Sequence, residues 1–190
     1  MKQINKYICD HFENDKFSIL ERLHINKDTG NRHYNYHPKD KDELEELIDK
    51  LINERGYNAN LNDIDTSEIT DMYKLFYNSE FNGDISNWDV SNAESMRYMF
   101  GNSKFTGENG DISNWDVSKV VDMNYMFAYS EFNENISNWN VSNVENMTCM
   151  FKKSNFNGDI SKWDVRNVKY MWHMFFRSPL EKNPPEWYKE

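Results

Sequence analysis

The chain has 190 residues, 38% of them hydrophobic and 15% aromatic, which suits one ordinary domain or a short repeat array with a cap. Its formal net charge of −10 is unevenly spread: residues 1–60 carry ten Lys/Arg against twelve Asp/Glu, and the remainder twelve against twenty. An acidic second part repels a phosphate backbone, which sets aside direct nucleic-acid binding as a function.

The opening residues include no continuous apolar stretch of signal-peptide length. No segment approaches the roughly 20 apolar residues that cross a bilayer. As written, the chain reads as cytoplasmic, or as cell-surface or secreted if an export signal has been removed. Cys9 and Cys149 stand far apart without metal-like company, so both are expected to be free thiols.

In chain order, Ile4, Tyr7, Ile8 and Phe12 give a weak opening helix. Residues 17–25 and 32–36 read as two strands of a hairpin around the polar loop at Gly30. After Pro38, Asp40 is placed to cap a helix whose apolar face is Leu44, Leu47, Ile48, Leu51 and Ile52, with Gly56 placed to stop it. Residues 1–60 thus form an α+β N-terminal cap, hairpin plus helix. His24, His33 and His37 fall within it, at a spacing that fits no metal motif.

From Leu61 a single phrase recurs, beginning at Leu61, Ile85, Ile112, Ile136 and Ile160. Its tryptophans fall at Trp88, Trp115, Trp139 and Trp163, in steps of 27, 24 and 24 residues. Its leading methionines are Met72, Met96, Met123, Met147 and Met171. A fixed period of this size predicts a solenoid in which each coil buries its apolar side chains against its neighbours. Ile85, Trp88 and Val90 have the spacing of a leucine-rich-repeat strand, and Met96, Met99 and Phe100 that of a short helical turn. Asp71, Ser95, Asp122 and Asn146 precede the methionine as helix caps. The three extra residues of the longer step belong in the loop 107–110. Trp187 keeps the period but follows Pro184 and Pro185, so residues 184–190 read as a C-terminal tail or cap.

The pattern Ile-Ser-Asn-Trp-Asp-Val-Ser-Asn, Met-x-x-Met-Phe, Ser-x-Phe resembles the BspA-like, mycoplasma-lipoprotein type of leucine-rich repeat found in bacterial surface proteins, a family of unknown function. The resemblance covers residues 61–183. It implies a curved β-α solenoid and, for the surface members, binding to host or bacterial proteins. The expected fold is therefore an α/β solenoid, a leucine-rich-repeat-like stack of about five β-α coils with a parallel sheet.

On that fold, Asp65, Asp89, Asp116, Asn140 and Asp164 form one column of a sheet face, about 4.8 Å apart. One reading makes the column an acidic strip for a basic protein surface; the other has each Asp close a local turn. The last coil breaks the repetition with Lys162, Arg166, Trp172 and His173, a basic and aromatic group suited to an interface. No nucleophile elbow, phosphate loop, paired-cysteine or zinc-protease motif occurs, so catalysis, metal, cofactor and small-molecule substrate are not expected. The functional expectation is a non-enzymatic protein-binding module. Its alternatives are a small acidic inhibitor of a nucleic-acid-handling defence enzyme, such as a CRISPR nuclease, and an architectural spacer.

Overall fold

A computed structural model describes residues 34–189. The opening helix, nearly all of the hairpin and Cys9 lie outside these residues. Helix α1, Lys41–Arg55, forms as the sequence predicts. The Asp40 carboxylate accepts the Glu43 N–H at 3.0 Å, satisfying one of the unpaired donors of the first turn. Leu44, Leu47, Ile48 and Leu51 are buried. Gly56 ends α1 with φ +87°, donating its N–H to the Ile52 carbonyl at 2.8 Å.

The expected sheet is not there. Among the described residues there is one α-helix, one 3-10 turn at Pro179–Glu181 and no strand, so the chain is not a parallel-sheet solenoid of β-α coils. Parallel pairing is confined to isolated bridges, and four of them form a chain through Asp71, Ser95, Asp122, Asn146 and Tyr170.

The reason lies in what closes each repeat. The segment read as a strand is two successive turns. Trp88 N–H donates to the Ile85 carbonyl at 3.1 Å, and Ala93 N–H to the Val90 carbonyl at 2.9 Å; the later copies repeat both closures. A backbone bent back every few residues never runs extended long enough to build a ladder. The side chains enforce the bends, since Asp84 Oδ1 accepts the Ser86 N–H and Asp89 Oδ1 the Ser91 N–H, each two residues on.

The Met-x-x-Met-Phe segment is not a helical turn either. Met99 N–H closes on Met96 at 3.2 Å, and Gly101 N–H on Tyr98 at 3.0 Å. Tyr98, inside the first closure, and Asn102, just past the second, have φ of +58° and +53°, and the corresponding residues of every copy are also left-handed. Every second N–H then points to the next winding. Met96, Tyr98, Phe100 and Asn102 donate to Asp122, Asn124, Met126 and Ala128 at 2.7–3.0 Å. Left-handed backbone costs roughly 1–2 kcal/mol per residue, and these inter-winding bonds hold it in place.

Inside, the apolar period does what the sequence requires. Phe76, Phe100, Phe127, Phe151 and Phe175 stack with ring centres 5.5–6.0 Å apart and planes within 4°. The four repeat tryptophans are buried, and Trp88, Trp139 and Trp163 donate their indole N–H to the carbonyl of Leu61, Ile112 and Ile136. Trp187 continues that column, donating to Ile160 at 3.0 Å. Trp115 is the exception: its buried Nε1 has no partner. It follows the three-residue insertion, which puts Ile85 30 residues behind it where the other indoles bond 27 residues back. One apolar core joins α1 to every winding.

Candidate functional site

The five octets that run from methionine to serine (72–79, 96–103, 123–130, 147–154 and 171–178) present four outward positions each. The first left-handed position of each octet holds Lys74, Tyr98, Tyr125, Cys149 and His173, and the second Asn78, Asn102, Tyr129, Lys153 and Arg177; all ten but the buried Cys149 are exposed or half-buried. Two further columns hold Tyr73, Arg97, Asn124, Thr148 and Trp172, and Tyr77, Gly101, Ala128, Lys152 and Phe176.

Rings and cations interleave on this face. Tyr98 and Tyr125 stack at 4.6 Å and 10°, and Tyr73 and Tyr77 set their edges against Tyr98. Lys74 lies 5.0 Å from the Tyr77 ring centre, Arg97 5.5 Å from Tyr98, Lys152 5.9 Å from Tyr125 and Lys153 5.1 Å from Tyr129. Such contacts add roughly 0.5–1 kcal/mol each at exposed positions. The forty octet residues contain Lys74, Arg97, Lys152, Lys153 and Arg177, and no Asp or Glu at all. Elsewhere in residues 61–190, seven cations face twenty carboxylates. The charge of the repeat array is therefore segregated, a feature its net value conceals.

A hollow of about 380 Å³ opens in this face between Tyr77, Tyr98, Tyr125 and Tyr129, floored by Gly101 and Ala128. A hydrogen bond with the Cys149 thiol pushes the Tyr125 phenol up to about 12, with burial and the nearby Cys149, Tyr98 and Tyr129 adding to it. Tyr125 thus remains a neutral hydroxyl at any physiological pH. Cys149 itself is free and buried.

The residues singled out in the sequence are divided by the structure. Asp65, Asp89 and Asp116 each accept the N–H of the serine two residues on, as the local-turn reading requires. Asp65 is buried and also meets His37 Nδ1 at 3.0 Å. Burial pushes its carboxyl up, but hydrogen bonds from the Ser67 side chain and backbone and from His37 outweigh that and hold it below the ordinary carboxylate range. Asp164 takes a two-pronged contact from Arg166, at 2.8 and 2.7 Å, which holds its carboxyl down to about 2. Lys162 lines a separate hollow beside Asn133, Glu134 and Asp159. Trp172 and His173 belong to the octet face, and Trp172 is 70% exposed. The sequence reading passed over Tyr77, Gly101, Ala128 and Tyr129. The signal was available: aligning the octets shows both the missing acids and the two small residues in a column of large ones.

Comparison with known proteins adds one finding. The family model described as Mycoplasma protein of unknown function, DUF285, matches residues 40–110 and 102–187. No curated protein and no solved structure matches. Among the described residues, no helix is long and apolar enough to cross a membrane.

Proposed function

This chain belongs to that DUF285 family, and from that premise we propose that it is a non-enzymatic protein-binding module whose partner docks on the octet face. The observation that carries the reading is the acid-free octet set, four cations set against tyrosine rings and a fifth, Arg177, against Phe176, on an otherwise acidic array. Tyr, Trp and Arg supply a disproportionate share of interface energy. Tyr77, Tyr129 and Trp172 are three of the six large hydrophobic residues left exposed among the described residues. The resemblance to BspA-like repeats of bacterial surface proteins supports the same use.

Charge segregation also favours a second reading, in which the acidic remainder of the array occupies a basic groove on a nucleic-acid-handling enzyme. The two are separated by capture from a bacterial lysate on the immobilised chain, with two sets of charge reversals. Loss of the captured proteins in Lys152→Glu/Lys153→Glu/Arg177→Glu supports the octet face. Loss only in Asp89→Lys/Asp116→Lys supports the acidic inhibitor. Capture indifferent to both sets overturns both readings.

A further inference from the structure

We infer that the octet face receives an acidic, extended segment of a partner polypeptide, one apolar side chain of which seats in the hollow above Gly101 and Ala128. This deepens the protein-binding reading and rests on it. The column that begins at Tyr77 and ends at Lys152 and Phe176 shrinks to Gly101 and Ala128 in its second and third windings. The two small residues leave a hollow walled by rings and large enough to admit a leucine-like or aromatic side chain.

The rim sets the charge of what enters. Lys74 and Arg97 stand at one end and Lys152 and Lys153 at the other. Among the described residues none of these four makes an ion pair, whereas Lys104, Arg166 and Lys169 elsewhere do. Four positive charges without a counter-charge call for carboxylates on both sides of the seated side chain. From the first octet to the last, ring centres advance by four steps of 5.5–6.0 Å. About seven residues of extended chain, at roughly 3.3 Å each, cover that distance.

A single-stranded nucleic acid is also anionic, but it binds by laying bases on open ring faces. Here Tyr98 and Tyr125 cover one another, and the cations lie over Tyr77 and Tyr129. These contacts occupy tyrosine faces that stacked bases would need, whereas the cations beside them suit side-chain carboxylates.

The test is a selection of random peptides of about twelve residues, long enough to span the face, displayed against the immobilised full chain. Enriched peptides are expected to carry Asp or Glu on both sides of a large apolar residue and to bind more weakly as salt is raised. Lys152→Glu/Lys153→Glu, a change at accessible positions, is expected to weaken the best peptide by about tenfold or more, as is filling the socket with Ala128→Tyr. The charge reversal decides the matter if the filled variant does not fold. Enriched peptides that are neutral or basic, yet lost on the charge reversal, overturn the acidic segment and leave the protein-binding reading standing. Tighter binding of oligothymidine than of the best peptide overturns the inference in favour of a nucleic acid. Peptides indifferent to both variants, or no enrichment, overturn the inference together with the face assigned to protein binding.

Discussion

Single residues in this chain serve mostly as hinges between turns, and their tolerance follows from what their backbone must clear. Gly83 is the tightest case, because a Cβ there would lie 2.0 Å from the Ala59 carbonyl oxygen, a backbone atom that cannot rotate away. Gly83→Ala is expected to lower stability by about 1–3 kcal/mol in urea denaturation, the usual cost of forced overpacking. Gly101→Ala meets the Tyr77 ring at 3.1 Å and the Tyr125 carbonyl oxygen at an ordinary 3.4 Å, and is expected to change stability far less. The aspartates of the turns give a second expectation. Asp63, Asp65, Asp84, Asp116, Asp159 and Asp164 are all held below their ordinary value of 3.8. A carboxyl with a lower value in the folded state binds fewer protons folded than unfolded, so its contribution is complete above 3.8 and disappears as pH falls through the folded value. The urea midpoint is therefore expected to hold steady from neutrality to about pH 5 and to fall below about pH 4. Asp65→Asn is expected to be less stable at neutral pH and to show a shallower acid decline; an unchanged acid profile would remove Asp65 from this account.

At the scale of elements, α1 is the simplest case. Its cap, apolar face and stop signal are all local, which is why each could be read from residues 40–56 alone. Asp40→Ala removes the acceptor for Glu43 N–H and is expected to cost about 1 kcal/mol, read as a lower thermal midpoint with reduced helical circular dichroism. The repeat was legible in its period and its buried set, but not in its backbone. Ile85, Trp88 and Val90 fit an alternating strand, and the same i, i+3 spacing of Ile85 and Trp88 fits the two ends of a turn. Hydrophobic spacing does not distinguish them. The polar residues between did, since Asp84-Ile-Ser and Asp89-Val-Ser place an acceptor two residues before a serine N–H in each bend. Asp71, Asp122 and Asn146 show the same ambiguity: each was read as a helix cap and each accepts a backbone N–H two residues on, without a helix following. The candidate site was half legible. Trp172 and His173 stood out because they break the repetition, whereas the hollow depends on the smallness of Gly101 and Ala128, which carry no chemical signature of their own.

For the whole molecule, the stacked rings decide how stability is distributed. A winding contacts its neighbours and little else, so interfaces add along the stack and a defect in the middle interrupts it. Phe127 touches the rings of Phe132 in its own winding, Phe100 in the winding before, and Trp139 and Phe151 in the winding after. Phe127→Ala is expected to cost about 3–5 kcal/mol, the range for deleting a fully buried ring. It is also expected to shallow the urea transition, because the windings before and after the cavity no longer unfold as one unit. Trp187 closes the stack at its far end, bonded to Ile160 and set against Trp163 and Phe175 on one side only. Trp187→Ala is expected to cost less than Phe127→Ala and to leave the slope of the transition unchanged, since an end winding can fray without dividing the rest. Equal losses at the two positions, with equal slopes, would mean that the windings fold as an indivisible block and that nearest-neighbour stacking does not govern this chain.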